Sequence, residues 1–142
     1  MKTISAVFLS LLAVACFAQA PDVAGLYDVT TEGSSSQVKL GEKGKLVIEF
    51  KTKPGSHISD EAPLKIELSG KQAKPEKTRL TAADSVAKKV EGKEFVDPKF
   101  EVPFTVAAAG KASVEAKLTF FICTDKVCAR QQKTLTVPVD VN

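Results

Sequence analysis

Two cysteines, Cys123 and Cys128, are separated only by Thr124-Asp125-Lys126-Val127, in a segment that otherwise reads as the end of a buried β-strand. They are the only cysteines left once an apparent export leader carrying Cys16 is set aside. A bond between them would close a loop of about six residues and remove roughly 2 kcal/mol of unfolded-state freedom, toward the low end of what disulfides give. Stability alone is a thin reason for such a bridge. Exchange chemistry is another: a thiolate attacks a disulfide sulfur, so a carrier needs an accessible first thiol, a resolving thiol beside it and a neighbourhood that tunes the thiolate. Lys126 would favour thiolate and Asp125 would oppose it. Arg130 adds positive charge beside Cys128, which makes Cys128 the expected reactive member. The competing reading is a structural clip between two final strands, since nearby cysteines of an exported protein tend to oxidise.

Other chemistries find little to rest on. Two cysteines and the single histidine, His57, fall short of the four ligands of a closed zinc site, so no metal is expected, and nothing calls for a cofactor. His57 follows Lys53-Pro54-Gly55-Ser56 and reads as a turn residue at the start of a strand, with a catalytic base as the lesser alternative. No Ser-His-Asp spacing, Gly-rich phosphate loop or paired-carboxylate motif stands out. Lysines alternate with acidic residues along the chain and no basic run carries aromatics, which argues against a nucleic-acid partner.

The elements that must position the pair show a period of two. Leu46, Ile48 and Phe50 share one face of Lys45–Lys51, and Leu64, Ile66 and Leu68 oppose Lys65, Glu67 and Ser69. Phe100, Val102, Phe104 and Val106 repeat the device. So do Val114, Ala116, Leu118, Phe120 and Ile122, and finally Leu135, Val137, Val139 and Val141. Turn chemistry separates these runs at Gly41–Gly44, Lys53–Ser56, Ser69–Lys71 and Ala109–Lys111. Amphipathic strands at short spacing predict an all-β, antiparallel β-sandwich of immunoglobulin-like type. Pro138 marks the last strand as an edge, or as bulged there. Lys71–Phe95 reads as a long polar excursion, with one or two helical turns in Ala82–Val90. Parity puts Cys123 on the face of Phe121, opposite the core set that ends at Ile122, so both thiols are expected near the surface and able to bridge across a hairpin turn.

Residues 1–20 form a secretory signal peptide, with basic Lys2, an apolar stretch from Ile4 to about Phe17 and small residues near its end. The formal net charge of +3 drops by one when Lys2 leaves. Ala18-Gln19-Ala20 fits the cleavage rule, although Pro21 would hinder cutting after Ala20. Leu12-Ala13-Val14-Ala15-Cys16 also resembles a lipobox, which would make Cys16 a lipidated first residue and anchor the protein to a membrane. Either route leads to the periplasm or another exported location. Residues 21–36 read as a flexible tether or loose first strand, and 37–142 as one folded domain.

Phe120–Val141, with strand, Cys, short turn bearing an acid, Cys, and a strand ending Val-Pro-Val, resembles the amino-terminal periplasmic domain of DsbD-type thiol:disulfide interchange proteins. Lys53–Ser59, Ala62-Pro63-Leu64 and Glu94–Pro98 resemble other parts of that family, over about Gln37 to Asn142. The resemblance implies an immunoglobulin-like sandwich that relays reducing equivalents between a membrane-embedded partner and thioredoxin-like exported proteins through transient mixed disulfides. Cys123 and Cys128 would be its redox pair, and Phe95 would be the aromatic residue of a cap loop, unless it packs at the core rim. The family usually places an aromatic or Leu and then prolines after the second cysteine, where this chain has Ala129-Arg130-Gln131-Gln132. The alternative function is an inert immunoglobulin-like binding or scaffold module, with a structural disulfide and a lipoprotein anchor at Cys16.

Overall fold

The structure is a computed structural model that describes residues 22–142. The expected leader, its cleavage site and Cys16 lie outside the described residues. Ten strands follow in chain order: β1 (Tyr27–Thr30), β2 (Gln37–Val38), β3 (Lys43–Thr52), β4 (His57–Ile58), β5 (Lys65–Lys71), β6 (Ala73–Pro75), β7 (Arg79–Thr81), β8 (Lys99–Val106), β9 (Gly110–Cys123) and β10 (Cys128–Val141). One sheet has the order β1-β3-β8-β6. The other has the order β2-β10-β9-β5-β7, with β4 also paired to β9. Every pairing is antiparallel except the short parallel contact of β2 with β10. The result is the immunoglobulin-like β-sandwich that the alternation predicts.

Each long strand buries one side because its apolar residues recur every second position, and the two dry faces meet. Phe50, Phe100 and Phe104 from one sheet and Phe120, Leu118 and Ile122 from the other are almost wholly buried. Phe50 stands edge-on to both Phe100 and Phe120, with ring centroids 6.3 and 5.0 Å apart. Tyr27 meets Phe120 edge-on at 5.0 Å, and its hydroxyl donates to Gln131 Oε1 across the sandwich at 3.0 Å.

Several expectations are corrected. Of the two readings of the segment before Gln37, tether or first strand, the strand is found as β1, and Val23, Tyr27 and Val29 join the core, so the folded unit includes residues before Gln37. The segment's Gly, Ser and Thr content masked a two-residue apolar alternation. The excursion from Lys71 is not one long loop: β6 crosses to pair with β8 and β7 returns to pair with β5. Ala73 and Leu80 are buried by these crossings. The helical stretch shrinks to one 3-10 turn, Ala82–Asp84, entered through a capping box of Thr81 and Asp84. Gly44 lies within β3 rather than in the turn before it, directly opposite Phe104.

Candidate functional site

The site is built at one end of the longest ladder in the fold. β9 and β10 pair over fourteen positions, from Val141 opposite Gly110 to Cys128 opposite Cys123. The two cysteines are joined by a disulfide, with Cα atoms 4.0 Å apart. Non-hydrogen-bonded antiparallel pairs bring side chains closest, and that is the position they hold: the next pair outward carries the bond from Thr124 N–H to Val127 O, at 2.8 Å. The turn itself is held by Thr124. Its Oγ1 accepts from the backbone N–H groups of Lys126 and Val127, each at 3.2 Å. A hydroxyl that takes up the free donors of a tight bend gives the cysteines a fixed register.

The two sulfur-bearing residues differ in exposure. Cys128 is exposed, whereas Cys123 retains only 2 % of its accessible surface. The expectation that both lie near the surface therefore holds for Cys128 and fails for Cys123. The cause is β4, which the sequence reading did not anticipate as a partner: His57 pairs directly opposite Cys123, and Ile58 opposite Ile122. The pairing continues through Ser59 N–H, which donates to Phe121 O at 2.9 Å. Residues opposite one another on neighbouring strands project to the same face, so His57 flanks Cys123 on the outer side of the sheet.

A second ring lies against the first. Phe95 stacks on His57 with centroids 3.6 Å apart and planes 6° from parallel. Phe95 is 36 % exposed and stands outside the core cluster. The loop that carries it is clamped at its base. Val86 N–H donates to Lys99 O at 2.7 Å, and Lys99 N–H to Ser85 Oγ at 3.1 Å. Asp97 accepts from Thr52 N–H and Thr52 Oγ1, at 3.1 and 2.7 Å. Thus Phe95, His57 and the cysteine pair, far apart in sequence, come together at one end of the sandwich.

Asp125 and Lys126 are exposed at the tip of the turn, and Arg130 is exposed two residues beyond Cys128 on the same face of β10. Among the described residues no cluster of three or more His, Cys, Asp or Glu side chains is arranged to hold a metal ion. No helix of the described residues is long and apolar enough to cross a membrane.

An immunoglobulin-like sandwich with a disulfide-closed hairpin at the end of its longest strands is the class of domain this geometry defines. Residues 29–140 match the family described as thiol:disulfide interchange protein DsbD, N-terminal, and the chain belongs to that family. The domains of this family are exported and periplasmic, and they interact in general with thioredoxin-like partners. No curated protein matches the sequence. Among solved structures, a cohesin module from the family 33 glycoside hydrolase of Clostridium perfringens ATCC13124 is similar at 9 % identity and a TM-score of 0.44, covering 82 % of this chain and 97 % of that one. A conjugative transposon lipoprotein from Bacteroides eggerthii DSM 20697 is similar at 11 % identity and a TM-score of 0.36, covering 77 % and 95 %.

Proposed function

We propose that this protein is an exported thiol-disulfide carrier whose Cys123–Cys128 pair relays reducing equivalents between periplasmic partners, thioredoxin-like or DsbD-like, through transient mixed disulfides. The observation that carries this reading is the unequal exposure of a bridged pair at a hairpin tip: one sulfur-bearing residue open to solvent, the other buried and paired with His57 of the neighbouring strand. A partner thiolate attacks Cys128 Sγ, forming the mixed disulfide, and the Cys123–Cys128 bond breaks with Cys123 leaving as thiolate. A second thiolate of the partner then attacks the partner's own sulfur in the mixed disulfide. Cys128 leaves as thiolate, and two electrons have moved to this chain. In the opposite direction Cys128 is the nucleophile toward a partner disulfide and Cys123 resolves the adduct. Arg130 and Lys126 favour the Cys128 thiolate and Asp125 opposes it. Phe95, stacked on His57, serves as the cap on the Cys123 side of the pair and leaves Cys128 open to a partner. The leader of residues 1–20 exports the domain, which then works without a metal or other cofactor.

Redox titration tests the proposal. A reduction potential of roughly −120 to −270 mV is expected, the range of exchange proteins, and a value below about −300 mV would mark the inert clip of a scaffold module. The Cys123→Ser variant, which leaves Cys128 without its resolving partner, should accumulate a mixed disulfide with a thioredoxin-like protein. Cys128→Ser should not.

A further inference from the structure

We propose that the open edge of β10, from Cys128 to Thr136, is a docking site for an extended acidic segment of another exported protein, which joins the sheet as an added strand. The inference goes beyond the carrier reading and does not depend on it, since the site is backbone rather than sulfur.

The ladder fixes which backbone groups are open. Cys128 and Cys123 form a non-hydrogen-bonded pair, and the register with β9 runs unbroken from there to Val141. In such a ladder every second residue turns its N–H and C=O away from the partner strand, so Cys128, Arg130, Gln132, Thr134 and Thr136 present theirs on the side away from β9. The same parity holds at the far end, where the N–H of Asp140 donates to Ser36 O and that of Asn142 to Val38 O. β2 stops there, pairing with Asp140 and Val141 alone. Over Cys128–Thr136 no strand among the described residues takes up these groups, and Gln131 Nε2 on Arg130 O, at 2.9 Å, is the one hydrogen bond they receive.

Charge defines what the added strand must carry. Lys126, Arg130 and Lys133 lie along this edge and its turn, with no acidic residue between Lys126 and Thr136. None of the three meets a carboxylate among the described residues, whereas Lys45, Lys51, Lys65, Lys111 and Lys117 on the other long strands each do. A second copy of this chain would bring the same cations into the seam and be repelled, while an acidic segment is drawn in. On the inner side, Ala129 and Leu135 are only partly buried at the margin of the core. The strand that fits therefore has acidic residues at its outer positions, beside Arg130, and apolar residues at its inner ones, beside Leu135.

The test titrates the oxidised protein with a peptide of about eight residues alternating Val and Asp, and with its Val-Lys counterpart, following backbone amides by NMR. The Val-Asp peptide should bind saturably below about 1 mM, slow hydrogen exchange at Arg130, Gln132, Thr134 and Thr136, and bind at least about tenfold more tightly than the Val-Lys peptide. Thr134→Pro removes one outward N–H without touching the β9 ladder, as Pro138 already does, and should weaken binding about tenfold with little change in Tm. Arg130→Glu, a change at an exposed side chain, should narrow the preference for acid about threefold or more. Unprotected amides at those four positions, or equal affinity for the two peptides, would overturn the proposal. So would a dimer in analytical ultracentrifugation that Thr134→Pro dissolves, because the edge would then belong to a second copy. A reduction potential below about −300 mV would defeat the carrier reading and leave these affinities as they are.

Discussion

At the scale of single residues, the site depends on how few atoms fix the bend between the cysteines. Thr124 alone supplies the side-chain oxygen that accepts two backbone donors of the turn. Thr124→Ala should therefore lower stability by about 1 kcal/mol, read as a shifted denaturation midpoint, while Thr124→Ser keeps the parent value. Much of this scale was legible beforehand. The cysteine pair, the acid and base of its turn, and Arg130 are visible as residue types at a given spacing. Strand parity also correctly set Cys123 apart from Ile122. What parity could not supply is what lies over that outer face. The pairing of His57 with Cys123 depends on the register of two strands distant in the chain, and the stack between His57 and Phe95 depends on a short strand meeting a distant loop. Neither leaves a local pattern.

At the scale of elements, the strands that alternate over six or more residues were readable because each has one dry and one wet face. β6 and β7 were not, since three residues apiece cannot establish a period. Pro138 illustrates an element rule that held only locally: β10 is not the edge of its sheet, since β2 pairs with its end at Asp140 and Val141, and no bulge breaks its register with β9, but the β2 pairing does not reach Pro138. The N–H of Asp140, two residues on, points away from β9 and donates to Ser36 O at 2.8 Å. By strand periodicity the nitrogen of Pro138 faces the same open side, so its missing hydrogen deprives β9 of nothing. Gly44 illustrates one that did not. It reads as a turn glycine, yet a Cβ there would stand 2.2 Å from Cζ of Phe104, whose ring lies across the bare backbone. Gly44→Ala should cost about 1–3 kcal/mol, measurable by chemical denaturation, because the ring has a packed core behind it and cannot retreat.

At the scale of the whole molecule, the two sheets are joined by apolar packing and by a polar tie, the hydroxyl of Tyr27 on β1 donating to Gln131 on β10. Burial raises the Tyr27 pKa above its ordinary value. A group whose folded pKa is raised contributes stability that is full below its unfolded pKa of about 10 and is lost as pH rises through the folded one. Tyr27→Phe should thus cost about 1 kcal/mol near neutrality, from the lost hydrogen bond, and should weaken the alkaline fall in stability seen in pH-dependent melts. The sandwich as a class was legible from alternation and turn spacing. The core membership of Val23, Tyr27 and Val29 was not, because a strand of four residues amid Gly, Ser and Thr is firmly placed only by the neighbour it pairs with.

The placement of the cysteines at the last rung of a fourteen-rung ladder has a mechanical consequence. In the proposed carrier, cleaving the bridge would release a short bend while the rungs behind it still hold β9 to β10, so loading and unloading electrons would be an event at the fingertip of a rigid arm. A scaffold that need not breathe to change oxidation state can present the same outline to donor and acceptor alike.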